Sequence, residues 1–261
     1  MKLDIFQIDA FASSIFSGNP AAVIPLYEWL SDETLQHIAT ENGLSETAFF
    51  VRKQEYYELR WFTPACEVDL CGHATLAAAF VLFEFLDAPD DCVVFDTKSG
   101  RLFVDNDGGL LSMDFPSWKP KPFQVTERVV QALGARPLEL YSSRDFLAVF
   151  EHPEQVMALK PDMGKVADLD GLALIATAPG EGDYDFISRC FVPAAGIPED
   201  PVTGSAHCTL VPFWAERLGK KTLTAFQASA RGGELFCEDL GDRVKIAGHA
   251  VCYMVGTIFL D

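Results

Sequence analysis

Two stretches far apart in the chain read alike. Arg60-Trp61-Phe62-Thr63-Pro64-Ala65 and Arg189-Cys190-Phe191-Val192-Pro193-Ala194 share the pattern R-x-F-x-P-A. Each leads to a glycine, Gly72 or Gly204, and then to an apolar run, residues 73–86 or 205–218. The second copy has three extra residues before its glycine. A helix that is apolar on nearly every side must be surrounded by protein. One such helix fits many folds, but two with the same approach point to an internal duplication. The chain is therefore expected to form two like halves, each a strand and a loop opening a central helix. If each sheet curls around its own helix, both helix N-termini can face one cleft. The 261 residues suffice for two modest domains.

The rest of the chain is rich in strands. KLDIFQIDAF, YYELRWF, CVVFDT, RLFVD and LLSMDF in the first half alternate with turn signals, as do FLAVFE, LALIAT, DFISRCF, TLTAFQA, ELFCE, RVKIA and AVCYMVGTIF in the second. They read as antiparallel meanders. Ser31 is a cap for a helix running to Glu41 and stopped by Gly43, and Thr126 caps another ended by Gly134. Pro212 is expected to kink or limit the second central helix, and Gly219 suits its end.

Composition excludes several classes. The net charge of −18 gives no Lys/Arg surface for a phosphate backbone, so nucleic acid is not an expected partner. Apolar runs are too short to span a bilayer. Seven scattered cysteines, with no second pair to complete the C-x4-C of Cys66 and Cys71, read as reduced thiols of a cytoplasmic protein. No Gly-rich nucleotide fingerprint supports NAD or ATP, and no ligand cluster supports a metal, so no cofactor is expected.

A helix N-terminus carries unpaired N–H groups and about half a positive charge, and glycine lets a ligand approach closely. The openings CGHAT and TGSAH therefore suit a small anionic substrate. Acid–base candidates beside them are Glu46, Glu67, Asp69, His73, Glu199, Asp200 and His207. Glu46 follows a helix-stopping glycine and begins an apolar strand; desolvated there, it suits proton transfer, and a solvated strand end is the plainer alternative. His73 at a helix start is expected to be neutral and a donor. Asp200 before Pro201 also fits a simple turn. Cys71, just before a helix N-terminus, is placed to be a stabilised thiolate. Its counterpart before Gly204 is Thr203, and Cys208 lies past the opening turn. A symmetric two-thiol racemase is therefore not supported, whereas one-sided thiol chemistry stays open.

SGNPAAV (17–23), LSETAF (44–49), LCGHAT (70–75), EDPVTGSAH (199–207) and RGGEL (231–235) occur in order along essentially the whole chain. Together they resemble the phenazine-biosynthesis PhzF-like proteins of the diaminopimelate epimerase-like superfamily. The resemblance implies an α/β (α+β) fold of two pseudo-symmetric halves, each a curved, mostly antiparallel sheet around a central helix. The halves would be residues 1–116 with 252–261, and 117–251. It implies an isomerase in which Glu46 moves the proton, with His73, Asp200 and Ser205 as the other active-site positions. Gly18-Asn19 matches the substrate-contacting turn of the epimerases, so Asn19, Gly72, His73, Gly204 and Ser205 are expected to bind substrate. A homodimer is compatible with it. The alternatives are a Cys71-dependent racemase, epimerase or dehydratase, and a binding protein that kept the fold without the chemistry.

Overall fold

The computed structural model describes residues 1–86, 88, 91–171 and 173–260. Leu172, at the start of the expected strand LALIAT, and Asp261, the last residue of the expected first half, lie outside them. The chain divides into two compact units, Met1–Asp114 with Ala247–Asp261, and Phe115–Ile246.

The first unit begins with β1 (Lys2–Ala10) and β2 (Asn19–Leu26), then α1 (Asp32–Asn42), β3 (Glu46–Arg52), β4 (Tyr57–Phe62) and the short β5 (Glu67–Val68). The central helix α2 (Gly72–Phe85) follows, then β6 (Cys92–Thr97), β7 (Gly100–Asp107) and β8 (Leu110–Pro116). Its sheet runs β1-β2-β3-β4-β6-β7-β8, with β5 beside β4. The last strand of the chain, Ala250–Phe259, lies antiparallel on the other side of β1. Ser31 caps α1 through its side chain, and Gly43 ends it in the left-handed region. The apolar side of α1, Leu35, Ile38 and Ala39, packs with Leu3, Ile5, Ile24, Phe49 and Val51. Alternate residues of the strands point the other way, where Phe6 meets Phe85 of α2 with ring centroids 5.0 Å apart. Helix α2 is buried along most of its length.

The second unit contains β9 (Lys121–Phe123), α3 (Glu127–Leu133), β10 (Glu139–Ser142), β11 (Phe146–Val149), α4 (Pro153–Met157) and α5 (Met163–Ala167). After these come β12 (Leu174–Pro179), β13 (Phe186–Val192), β14 (Ile197–Asp200), α6 (Gly204–Leu218), β15 (Thr222–Gln227), β16 (Gly233–Asp239) and β17 (Arg243–Gly248). Its sheet runs β9-β10-β11-β12-β13-β15-β16, with β14 beside β13. The final strand of the chain, in the first unit, is β18 (Ala250–Phe259).

The meander expectation needs one correction. Pairs β2–β3, β4–β6, β11–β12 and β13–β15 are parallel. A parallel pair needs a crossover, and each of these has one: α1, α2, α4 with α5, and α6. The crossovers also match the two units element by element, because β2-α1-β3-β4-β5-α2-β6 has the order of β11-(α4, α5)-β12-β13-β14-α6-β15. Strand β2 is absent from the sequence-based assignment because it contains Pro20 and Pro25, which argue against a central strand. They stand second and next to last in it, toward its ends.

Pro212 neither limits α6 nor stops it, since the helix runs on to Leu218 and Gly219. A proline cannot donate to the carbonyl four residues earlier. Here that carbonyl, of Cys208, accepts instead from the Trp118 N–H at 2.8 Å.

Candidate active site

The repeated R-x-F-x-P-A pattern turns out to be a clamp. Arg60 Nε donates to Glu67 Oε1 at 2.7 Å, and its guanidinium lies over the Phe62 ring. Arg189 Nε donates to Glu199 Oε1 at 2.7 Å, and its guanidinium lies over Phe191. In each unit the arginine of the entering strand thus holds the glutamate of the short strand leading into the central helix. The Arg60 hydrogen bonds hold the Glu67 carboxyl at about 2. Glu67 and Glu199 are therefore structural carboxylates, and Asp69 is exposed.

The mouth of α2 collects four side chains. Cys71 is its N-cap residue in extended conformation, and its side chain makes no capping bond. His73 follows within the first turn and is buried. Its Nε2 lies 3.1 Å from Glu46 Oε2. The contact is within ion-pair reach but off the line a hydrogen bond requires, and neither atom has another hydrogen-bond partner among the described residues. On the other side of the ring, Nδ1 lies 3.2 Å from the Asn19 amide nitrogen and 3.5 Å from Cys71 Sγ. The Asn19 carboxamide can donate to a neutral ring or, turned over, accept from a charged one.

Local structure explains this convergence. Asn19 and Glu46 head the neighbouring parallel strands β2 and β3, where Glu46 pairs in register with Ala21. The turn before Asn19 depends on Gly18 at φ +66°, where a Cβ would stand 2.2 Å from the Ala10 carbonyl oxygen. Gly43, also in the left-handed region, turns the chain from α1 toward Glu46.

Two expectations are corrected here. Burial opposes a charged His73 ring, but the Glu46 carboxylate beside it outweighs burial and holds the ring well above its usual value. Glu46, at 3.1 Å, is the partner that favours the imidazolium. His73 is thus the cationic partner of a carboxylate and not a neutral donor. Burial, and then the Glu46 charge, push the Cys71 thiol up. The helix N-terminus does not make it a thiolate, because the buried site disfavours a second anion beside Glu46.

The fold also assembles a donor set that sequence spacing does not reveal, since Glu46, Cys71 and His73 offer ligand atoms within 4.8 Å of one another. They fit a single cation poorly. Glu46 faces Nε2 and Cys71 faces Nδ1, and one ring gives a cation one nitrogen.

The mouth of α6 is built differently. Asp200 Oδ2 accepts from Thr203 Oγ1 at 2.6 Å. The buried amide of Gln227 braces the same loop. Its Nε2 donates to the Asp200 carbonyl at 2.8 Å, and its Oε1 accepts from the Thr203 N–H at 2.9 Å. Sequence reasoning missed Gln227, which closes the otherwise ordinary strand β15 and carries no local signal. Thr203 precedes Gly204 without a side-chain cap, and Ser205 is half-buried in the first turn. His207 is fully buried, with Nδ1 2.9 Å from the Thr203 carbonyl, and burial pulls it down to about 4. It is a neutral packing residue beside Phe186.

A cavity of about 920 Å³ in the first unit contains none of these groups. Lys2, Arg52, Tyr57, Leu82 and Leu86 line it, toward the C-terminal end of α2. The cluster of Asn19, Glu46, Cys71 and His73 lies at the other end of that helix.

Two α/β units, each opening a buried helix at a polar mouth, define an epimerase-like fold. A predicted epimerase from Pseudomonas aeruginosa has the same fold, with TM-score 0.74, 17% identity and coverage of 99% of this chain and 100% of that one. The family profile described as phenazine biosynthesis-like protein, PhzC-PhzF, matches residues 8–256. An uncharacterized isomerase of Pseudomonas aeruginosa is 52% identical over the full length of both chains. The crystal structure of a PhzF-family protein from Enterococcus faecalis has TM-score 0.98 at 44% identity, again covering 100% of both chains. The chain belongs to the phenazine biosynthesis-like, or PhzF, family, and it is an enzyme of the isomerase class. No helix among the described residues is long and apolar enough to cross a membrane.

Proposed function

We propose that the protein moves a proton between two carbons of a small carboxylate-bearing substrate, with Glu46 as general acid/base and no cofactor. The observation that carries this reading is the contact of Glu46 Oε2 with His73 Nε2 at the mouth of α2, where neither atom has another hydrogen-bond partner among the described residues. A carboxylate at a buried helix mouth, with an oxygen 3.1 Å from the His73 ring, is placed to exchange a proton with a substrate carbon seated there. Glu46 takes the proton from carbon, and the electron pair left behind spreads into the adjoining unsaturated or carboxylate group. The resulting carboxylic acid returns the proton to a different carbon, which completes an allylic isomerisation. His73 and Asn19 stabilise the enolate-like charge. The N–H groups around Gly72-His73 hold the substrate's anionic group.

A racemase with two equal bases is less well supported, because Cys71 is a protonated thiol and Thr203 occupies the matching place. Solvent-deuterium exchange into a panel of small amino and cyclic unsaturated carboxylic acids tests the proposal. Label should enter with the wild type and be lost in Glu46→Gln. Equal incorporation by Glu46→Gln, or loss of incorporation in Cys71→Ser with Glu46 intact, would overturn it.

A further inference from the structure

The cavity of about 920 Å³ toward the C-terminal end of α2 is not used by the proposed chemistry. Strand register explains how it arises. Lys2, Asp4 and Phe6 share one face of β1, because side chains alternate along a strand. Phe6 pairs with Val23, Pro25 pairs with Phe50, and Arg52 pairs with Tyr57, which carries the same face across β2, β3 and β4. The Phe6 ring meets Phe85, so this is the face that α2 covers. The helix ends at Phe85, and the strands continue past it. Lys2, Asp4, Phe50, Arg52 and Tyr57 therefore face an open space that Leu82 and Leu86 of α2 close on the other side.

The lining has the composition of a small-molecule site. Such sites are concavities of about 300–1,000 Å³ with apolar and aromatic walls and a few placed polar groups. Phe50 and Tyr57 make an aromatic wall, edge-on to each other with ring centroids 5.6 Å apart. Charge then narrows the ligand. The chain has 38 acidic residues against 20 lysines and arginines, yet among the described lining residues three are cations and one, Asp4, is an acid. Lys53 is taken up by Glu58 at 3.1 Å. Lys2 and Arg52 make no ion pair among the described residues, although Lys2 lies over the Phe259 ring at 5.3 Å.

We propose that this cavity binds a small aromatic carboxylate, with its ring against Phe50 and Tyr57 and its charge on Arg52 and Lys2. A guanidinium offers two parallel donors that match a carboxylate, and the lysine adds a point charge. Aromatic rings meet edge-on or offset-stacked, as the wall allows. With a net charge of −18 most of the surface repels an anion, so two open cations beside an aromatic wall decide where it settles. Asp4 on the same face disfavours a dianion, which sets a monocarboxylate above a phosphate. The site is separate from the Glu46 chemistry, which lies at the opposite end of α2.

Backbone-amide NMR of the whole protein titrated with 2-naphthoate tests this. Amides of residues 2–4, 25–27 and 50–57 should shift and saturate. The uncharged 2-naphthamide should bind there at least about tenfold more weakly, and Arg52→Gln should weaken 2-naphthoate by about tenfold or more. Lys2→Gln should weaken it several-fold, which gives a second reading if Arg52→Gln fails to fold. Glu46→Gln should leave these shifts and their midpoint unchanged. Absence of saturable shifts around the cavity, equal affinity for the amide, or tighter binding of 2-naphthyl phosphate would each refute the proposal. Shifts confined to Gly72-His73 and abolished in Glu46→Gln would give the ligand to the mouth of α2 instead. An Arg52→Gln protein that loses stability in urea but keeps its affinity would assign the cations to the carbonyl end of α2, and the proposal would fall.

Discussion

Replacing Glu46 with Gln tests the central electrostatic argument independently of any substrate. In the wild type, His73 is buried, yet it is held well above its usual 6.5 by its neighbours. The protein contains its own control. His207 is also fully buried at the start of a central helix but faces no carboxylate, and burial takes it down to about 4. Without the Glu46 charge, His73 should move downward from its raised value in the direction of His207, with Cys71 left as its close neighbour. Removing one partner of a buried ion pair costs about 3–5 kcal/mol, and the lost proton affinity of His73 is part of that cost. The pH dependence of stability should change sign accordingly. In the wild type the raised His73 contributes stability below about 6.5, and this is lost as pH rises through its raised value. In Glu46→Gln the ring is buried uncharged, so its contribution is present above about 6.5 and is lost as pH falls through its lowered value. The two proteins should therefore differ most on the acid side. The chain has five histidines, few enough to follow their ring nitrogens individually by NMR. Urea unfolding at mildly acidic and mildly alkaline pH supplies the stability difference. If His73 titrates at the same place in both proteins, Glu46 is not its partner and the account of the site fails.

Two further predictions concern the framework around the site. Arg60→Ala should cost about 2 kcal/mol at neutral pH, because Glu67 loses both guanidinium bonds and keeps Lys98 as its charged partner, and the loss should fade as pH falls toward the value of about 2 at which wild-type Glu67 protonates. Arg189→Ala should cost more, since Arg189 also donates to the carbonyls of Val156 and Leu159; urea melts across pH check both, and a pH-independent loss in Arg60→Ala would sink the clamp argument. Gly18→Ala should destabilise by about 2 kcal/mol or more, because its Cβ would meet the Ala10 carbonyl oxygen, and should shift the His73 ring signals through Asn19; unchanged stability and signals would show that the turn tolerates a side chain.

Much of the site's outline was legible along the chain because its signals are local. Ser31 and Gly43, or Thr126 and Gly134, mark helix ends through backbone chemistry confined to a few residues. The paired motifs ahead of Gly72 and Gly204 marked the two central helices, since an apolar run of that length has to be enclosed. The short helices α4 and α5 were not legible, because five residues leave no periodic stripe to read. Strand β2 was hidden by its prolines, and Gln227 by having no motif.

The sequence by itself determined the duplication, the central helices and the identity of the polar residues at their mouths, because hydrophobic period and glycine placement act over neighbouring positions. Only the tertiary structure decided what those residues are to one another. Parallel pairing of β2 with β3 brings Asn19 and Glu46, 27 positions apart in the numbering, to the same helix end. Charge states follow from that meeting: His73 becomes cationic because Glu46 is 3.1 Å away, while His207, equally buried, becomes neutral because nothing charged faces it. Desolvation and Coulomb energy depend on distances through space, and no spacing along the chain encodes them.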